Sequence, residues 1–223
     1  MDIDNDGKLD LVAGDASGNV WFFRNIGTKQ KPELAAGVKL ESDGKPIVGV
    51  HANYQEKNGQ YHVVPNDKDV IGVYSKIFVG DWDGDGLNDL LVGQDGPNGG
   101  SQIMFYKNIG TANQPKYDKP AEIKLPGGPF SRMSPYLYDL DGDGKLDLLC
   151  GIENGEVQYF HNKGTKTAPV LENGVKLPLQ GEGLQGSYRW RICVTDWNND
   201  GKPDLLVGNY ANRGGNIWLF LGK

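Results

Sequence analysis

Two cysteines, three histidines and no apolar run longer than about six residues leave several protein classes without support in this 223-residue chain. So few cysteines exclude a disulfide framework. Cys150 and Cys193 both fall at apolar positions of strand-like runs, Cys150 in the column of Val92 and Val207 and Cys193 in that of Phe78, so both are expected as buried free thiols. The spacing gives no support to a disulfide between them. The short apolar runs exclude a membrane-spanning helix, and no segment carries convincing helical periodicity. No block of like charge stands out, so a nucleic-acid partner is not expected. Motifs for catalysis are missing too: there is no nucleophile elbow, no Gly-rich phosphate loop and no His-Glu-x-x-His. No signal peptide precedes the first motif at Asp2, and the chain reads as an internal piece of a longer protein.

Glycine and aspartate are plentiful, and they recur in register. Four segments align: DIDNDGKLDLVAG from Asp2, DWDGDGLNDLLVG from Asp81, DLDGDGKLDLLCG from Asp139 and DWNNDGKPDLLVG from Asp196. A second apolar run follows each one, as NVWFF, QIMFY, EVQYF and NIWLF. Three of these end in Asn-x-Gly-Thr, at Asn25, Asn108 and Asn162, with Pro32, Pro115 or Pro169 beyond. A further short strand is expected at 37–40, 121–125 and 174–177, and another upstream of the last three loops. The unit is therefore strand A, Asp-rich loop, strand B, turn, strand C, longer turn, strand D. Runs of Val, Ile, Leu, Phe, Tyr and Trp bounded by Gly, Asn, Asp and Pro favour strands.

Four-stranded units repeated at this length predict an all-β fold, a β-propeller of four-stranded blades, over a β-solenoid. The chain is expected to hold about four blades of one propeller spanning 1–223, with units 1–73, 74–131, 132–187 and 188–223. The first repeat lacks strand A and the last ends after strand C. The chain is therefore expected to be part of a larger ring, or to complete its ring with another copy. The extra length of the first repeat is an insertion at 42–73, expected as a hairpin turning at Asn58-Gly59.

Each loop spaces side-chain oxygens at positions 1, 3, 5 and 9: Asp2, Asp4, Asp6 and Asp10; Asp81, Asp83, Asp85 and Asp89; Asp139, Asp141, Asp143 and Asp147; Asp196, Asn198, Asp200 and Asp204. Position 7 (Lys8, Leu87, Lys145 or Lys202) can add a backbone carbonyl. Position 6 is always Gly, which lets the chain turn so that ligands on both sides converge. A hard, all-oxygen set suits calcium; with no His or Cys at ligand positions, zinc is disfavoured. Up to four structural Ca2+ ions are expected. Fifteen of the 29 acidic residues lie in these loops, and four divalent cations would bring eight charges against a net of −6. The acidity is mostly ligand, not surface. Asn198 lowers the ligand charge of the fourth loop.

The four loops with their flanking strands resemble the FG-GAP/VCBS repeat family, the calcium-loop propeller repeats also found in integrin α-subunit heads and in many bacterial surface proteins. The resemblance covers nearly the whole chain except 42–73. It implies a β-propeller, usually seven-bladed, with calcium in the A–B loops at the ligand positions named above. The Phe-Gly and Gly-Ala-Pro signatures of the integrin version are missing, and the bacterial, VCBS-like form is closer.

Two further clusters are candidates for ligand binding. The 42–73 hairpin gathers His51, Tyr54, Tyr61 and His62, against the plainer reading of a long decorated loop. Ahead of the A strands lie Tyr74 and Lys76, Arg132, then Tyr188, Arg189, Trp190 and Arg191, against the plainer reading of packing and ion pairs between blades. Basic and aromatic groups together suit an acidic sugar polymer. With the resemblance, they favour an extracellular or cell-surface module that binds polysaccharide or a glycoprotein glycan. The alternatives are a polysaccharide lyase using His51, His62, Tyr61 and Arg191, and a structural spacer. The aromatic C strands are expected as core, and Trp82 and Trp197 as covers over their loops.

Overall fold

The computed structural model describes all residues except 48–52, 58–59, 65–72, 96–100, 182–183, 185 and 211–213, with backbone only at 53–57, 60–64, 73 and 101. Among the described residues every regular element is a β-strand. The chain divides into two compact units, Met1–Asp81 with Asp85–Ile123, and Trp82–Gly84 with Lys124–Lys223.

The first unit holds two blade sheets. One runs β1 (Leu11–Gly14), β2 (Val20–Phe23), β3 (Val38–Lys39). Two short pairs follow it: β4 (Glu41–Ser42) with β5 (Lys45–Pro46), and β6 (Asn53–Lys57) with β7 (Gln60–Val64). The second blade is ordered β11-β10-β9-β8, from β8 (Val73–Gly80), β9 (Asp89–Asp95), β10 (Ser101–Tyr106) and β11 (Ala121–Ile123). The second unit holds β12 (Ser134–Tyr138), β13 (Asp147–Gly151), β14 (Val157–Phe160) and β15 (Val175–Lys176) in that order, then β16 (Tyr188–Thr195), β17 (Asp204–Tyr210) and β18 (Ile217–Phe220). All blade pairings are antiparallel meanders between sequence neighbours. These are propeller blades: two with strands A to D, one with B to D and one with A to C.

Each unit has its own core. In the first, Ile3, Val20, Ile47, Val79, Leu90, Val92, Met104, Tyr106 and Tyr117 pack together. In the second, Leu149, Val157, Leu184, Trp190, Ile192, Val194, Leu205 and Val207 do so. The B strands β9 and β13 read as apolar runs because nearly all their residues are buried. The aromatic C strands, expected as core, are so in part: Tyr106 and Phe160 are buried, Phe22, Tyr159 and Trp218 pack half-buried against the cores, and Trp21, Phe23 and Phe105 are half-buried. The D strands are shorter than expected, two or three residues. Val38 and Val175 there are 57% and 61% exposed, so little burial rewards extending them.

Within each unit, adjacent blades meet at a glycine. A side chain on Gly14 would collide with the Ser75 carbonyl, and one on Gly151 with the Trp190 carbonyl. Strand A opens there on a bulge: register shifts between Val73 and Lys76 and between Tyr188 and Arg191. The bulged residues Tyr74 and Arg189 both have φ of 58°, and Arg132 takes 50° at the matching point before β12. Ser75 N donates to Asp15 O, and Trp190 N to Ile152 O, sewing each bulge to the preceding blade.

The insertion pairs as a hairpin, with Tyr54 opposite Val63 and Lys57 opposite Gln60; its turn, Asn58-Gly59, lies outside the described residues. The β4–β5 hairpin before it was not anticipated. Its turn is Asp43-Gly44, with φ of 50° and 72°, the sign pair of a type I′ turn. One thiol departs from expectation: Cys150 is buried, but Cys193 is exposed, and both are free.

Candidate metal centres

The A–B loops fold alike because the same atoms are tied in the same way. The position-1 carboxylate caps the turn. Asp2 accepts the N–H groups of Asp6 (3.1 Å) and Gly7 (2.8 Å), Asp81 those of Asp85 and Gly86, and Asp196 those of Asp200 and Gly201. In the third loop Asp139 accepts Gly144 N at 2.8 Å, and Asp141 takes Asp143 N. Position 5 then accepts the N–H of position 7 in all four loops, at 2.9–3.0 Å. Both position 4 and position 6 are left-handed. Position 4 is accordingly Asn5, Gly84, Gly142 or Asn199, and position 6 is Gly7, Gly86, Gly144 or Gly201; Asn and Gly tolerate that region best.

This backbone turns the acidic side chains inward. Asp2, Asp4 and Asp6 each offer a ligand atom within 4.8 Å of the others, as do Asp81, Asp83 and Asp85 along their loop, and Asp139, Asp141 and Asp147. Asp4 Oδ1 and Asp139 Oδ1 are buried and have no hydrogen-bond partner among the described residues. A buried carboxylate oxygen without a donor is costly unless a cation faces it. The donor set therefore fits a hard divalent ion. Burial, together with the charges of Asp10 and Asp6, raises the Asp4 carboxyl above its ordinary value even though Arg24 opposes this.

The position-9 aspartates are the most buried members. Asp89, Asp147 and Asp204 are fully enclosed, and Asp10 is nearly so. Their oxygens accept backbone donors on both sides. Asp10 takes Ile3 N and Asn25 N, Asp147 takes Leu140 N and Asn162 N, and Asp204 takes Trp197 N and Gly222 N; Asp89 takes Asn108 N. Position 9 thus locks the loop to strand C, a role that sequence spacing alone did not suggest.

Basic side chains ring the loops. Lys8 meets Asp6 at 3.0 Å, Lys107 meets Asp85 at 2.6 Å and Lys145 meets Asp143 at 2.6 Å; each holds its carboxyl below the ordinary value. Arg24 reaches Asp4 at 2.7 Å, and His161 reaches Asp141 at 3.2 Å. Arg24, Lys107 and His161 occupy one column of the repeat, just before the Asn-x-Gly-Thr asparagine. Their approach to the loop was missed, although the column was visible in the alignment. In the fourth loop Asn198 holds Asp200 through both amide atoms, and Lys202 at position 7 is exposed. Leu87 at position 7 of the second loop is half-buried. Trp82 is buried, but Trp197 is 60% exposed and covers little.

The ligand-binding candidates fare unevenly. His51 lies outside the described residues, and Tyr61 and His62 are placed on β7 by their backbone alone. Lys76 is buried on Asp95 at 3.0 Å. Trp190 is core, its Nε1 donating to Ser187 Oγ. Arg191 Nη1 donates to the Trp190 carbonyl. Arg132 and Arg189 both approach Glu153 at 3.5 Å, and the Arg189 guanidinium lies over Tyr188 (5.7 Å) and Tyr210 (5.4 Å). Of that cluster, Tyr74 is exposed, and Arg132, Tyr188, Arg189 and Arg191 are half-buried; in the second unit they are joined by Tyr210 and Glu153, which the sequence reading did not include.

A family model for the FG-GAP-like repeat matches residues 81–150 and again 139–207, together more than half the chain. No curated protein matches the sequence.

Proposed function

The chain belongs to the FG-GAP-like repeat family, and from that premise we propose that it is a calcium-stabilised propeller module that displays a carbohydrate-binding surface outside the cell. The observation that carries the calcium reading is the recurrence of one loop geometry, with carboxylate oxygens of Asp4 and Asp139 buried and unpaired. Asp2, Asp4 and Asp6, and their counterparts in the second and third loops, would hold the ion, with the carbonyls of Lys8, Leu87 and Lys145 as further oxygens. Bound calcium supplies the positive charge that lets several carboxylates share one turn. It would clamp the A–B connection, while position 9 ties the same loop to strand C.

The carbohydrate reading is supported by the Arg189–Tyr188–Tyr210 stack with Arg132 beside it. Stacked guanidinium and phenol faces suit a pyranose ring bearing carboxylate or sulfate. Extracellular placement accords with the calcium reading, since extracellular calcium modules work at affinities of about 10⁻⁴–10⁻³ M.

The test is a thermal melt with calcium and with a chelator. A single site saturated at 100 times its Kd stabilises by about 2.7 kcal/mol, or roughly 5–10 °C at this size. Chelation is expected to lower Tm by at least that much, and a melt indifferent to both additions would sink the calcium reading. A glycan array run with calcium tests the surface: no signal on any acidic or neutral polysaccharide removes the carbohydrate assignment.

A further inference from the structure

We propose that Glu153 sets the specificity of the cluster it forms with Arg132, Arg189, Tyr188 and Tyr210, restricting it to sugar polymers that carry isolated carboxylates beside free hydroxyls and turning away densely sulfated ones. The inference rests on the carbohydrate reading of that cluster. It adds the ligand class, which that reading leaves open between carboxylate and sulfate.

Glu153 stands on the turn between β13 and β14, and its backbone ties it to both arginine segments. Its N–H donates to the Ser131 carbonyl at 2.9 Å, one residue before Arg132, and its own carbonyl accepts the Arg189 N–H at 3.1 Å. The carboxylate is thereby set between the two guanidiniums, one oxygen to each: Arg189 Nε is 3.5 Å from Oε1, and Arg132 Nε is 3.5 Å from Oε2. Both arginines hold left-handed backbone, with φ of 50° and 58°, a region that residues other than glycine seldom take. The Tyr188 and Tyr210 rings, 5.2 Å apart and edge to face, flank the Arg189 guanidinium as well.

The ion pairs do not use up the hydrogen-bonding capacity of these groups. Both lie beyond the usual N–H···O range of roughly 2.7–3.2 Å, and Arg189 Nε and Glu153 Oε2 have no hydrogen-bond partner among the described residues. Unmet donor and acceptor stand side by side on side chains that are 42% and 28% exposed. A sugar hydroxyl can accept from a guanidinium and donate to a carboxylate at once. Charge points the same way: two guanidiniums less one carboxylate leave a single positive charge, which one uronate matches. A densely sulfated chain brings several anions against Glu153, and its esters have replaced the hydroxyls that would donate to it. Repulsion and lost donors together reject that partner.

The experiment measures binding of the full chain, with calcium in excess and at fixed ionic strength, to uronate polymers without sulfate (polygalacturonate, alginate, unsulfated chondroitin) and to sulfated ones (chondroitin sulfate, dextran sulfate). At least one uronate polymer should bind at least about tenfold tighter than either sulfated one. Glu153→Gln keeps the size and removes the charge; it should tighten dextran sulfate about tenfold and erase the preference. Glu153→Asp keeps the charge and should keep the preference. Relaxation in both variants, or an unchanged preference in Glu153→Gln, overturns the proposal. The native chain decides the ligand class whether or not a variant folds: sulfated polymers bound as tightly as uronates overturn this inference and leave the carbohydrate reading standing. Silence on all five polymers also overturns it, and the carbohydrate reading falls with it only if neutral polysaccharides are silent too.

Discussion

Asp147 Oδ1 accepts the backbone N–H of Asn162 at 2.8 Å, and its Oδ2 accepts Leu140 N and the Tyr159 hydroxyl. One carboxylate therefore closes the third loop and fixes where strand C ends. Asn162 continues the connection: its Oδ1 accepts Gly164 N and Val170 N, and its Nδ2 donates to the Leu146 carbonyl. The same Asp–Asn link joins Asp10 to Asn25 and Asp89 to Asn108.

Asp147→Ala should be among the costliest single changes in the chain. It strands one buried N–H donor (Asn162) and, half-buried, the Leu140 N–H and the Tyr159 hydroxyl; a buried donor left unmet costs about 1–3 kcal/mol. Denaturant unfolding is expected to show a loss above about 3 kcal/mol, or no folded protein. Asp141→Ala, at an exposed position of the same loop, should cost far less when calcium is withheld. Equal losses from the two substitutions would refute the division of labour between position 9 and the rest of the loop.

Gly151→Ala tests the seam between the two blades of the second unit. The added methyl meets the Trp190 carbonyl, and Trp190 is itself buried. Neither side has room to yield, so a loss of about 1–3 kcal/mol is expected, as for other overpacked sites. Gly186→Ala offers the contrast. Its φ of 76° strains a side chain, but nothing lies within 4 Å of the added methyl, so its loss should be the smaller by chemical denaturation.

Much of this was legible in the residues, and the reasons are physical. Repetition made strand order readable: four copies of one pattern fix A–B–C–D even where a single copy is ambiguous. The loop ligands were legible because side-chain oxygens recur at positions 1, 3, 5 and 9 around a Gly at position 6 that lets the chain turn. What stayed hidden depended on approach in space. His161 lies fourteen or more residues from the third loop's aspartates, and only the sheet brings it near. Lys76 and Trp190 looked like surface because charge and aromaticity were read without depth. Lys76 is buried on Asp95, and Trp190 fills core beside the bulge.

The bulge residue Tyr74 carries φ of 58° without being glycine. Tyr74→Gly removes that strain and should be neutral or stabilising by up to about 1 kcal/mol. Tyr74→Val puts a β-branched residue where the backbone tolerates it least and should destabilise. If valine proves as stable as tyrosine by thermal melt, the bulge is not retained in solution.

Acid should loosen the fourth blade through Asp204. Its carboxyl is held below the ordinary range first by the Gly222 N–H, with Trp197 N adding to this against an opposing effect of burial. A depressed folded value means that this stability is present above the unfolded value of about 3.9. It is lost as pH falls through the folded value. Unfolding measured from pH 5 downward should show stability declining below about pH 4. Asp204→Asn should flatten that decline while lowering stability at neutral pH. An unchanged acid slope in the variant would show that other carboxylates govern it.

The fourth loop differs from the others at position 3, and the difference gives a test with two signs. Asn198 Nδ2 donates to Asp200 Oδ2 at 3.1 Å, and its Oδ1 accepts Asp200 N. Asn198→Asp replaces the first contact by repulsion between carboxylates and adds a charged oxygen ligand. Without calcium the variant should melt below the native chain. With calcium in excess the order should reverse, because added ligand charge tightens an all-oxygen site. Paired melts, with chelator and with calcium, read both signs on one protein. A variant less stable under both conditions would mean that the fourth loop takes no ion, which would confine calcium to the first three.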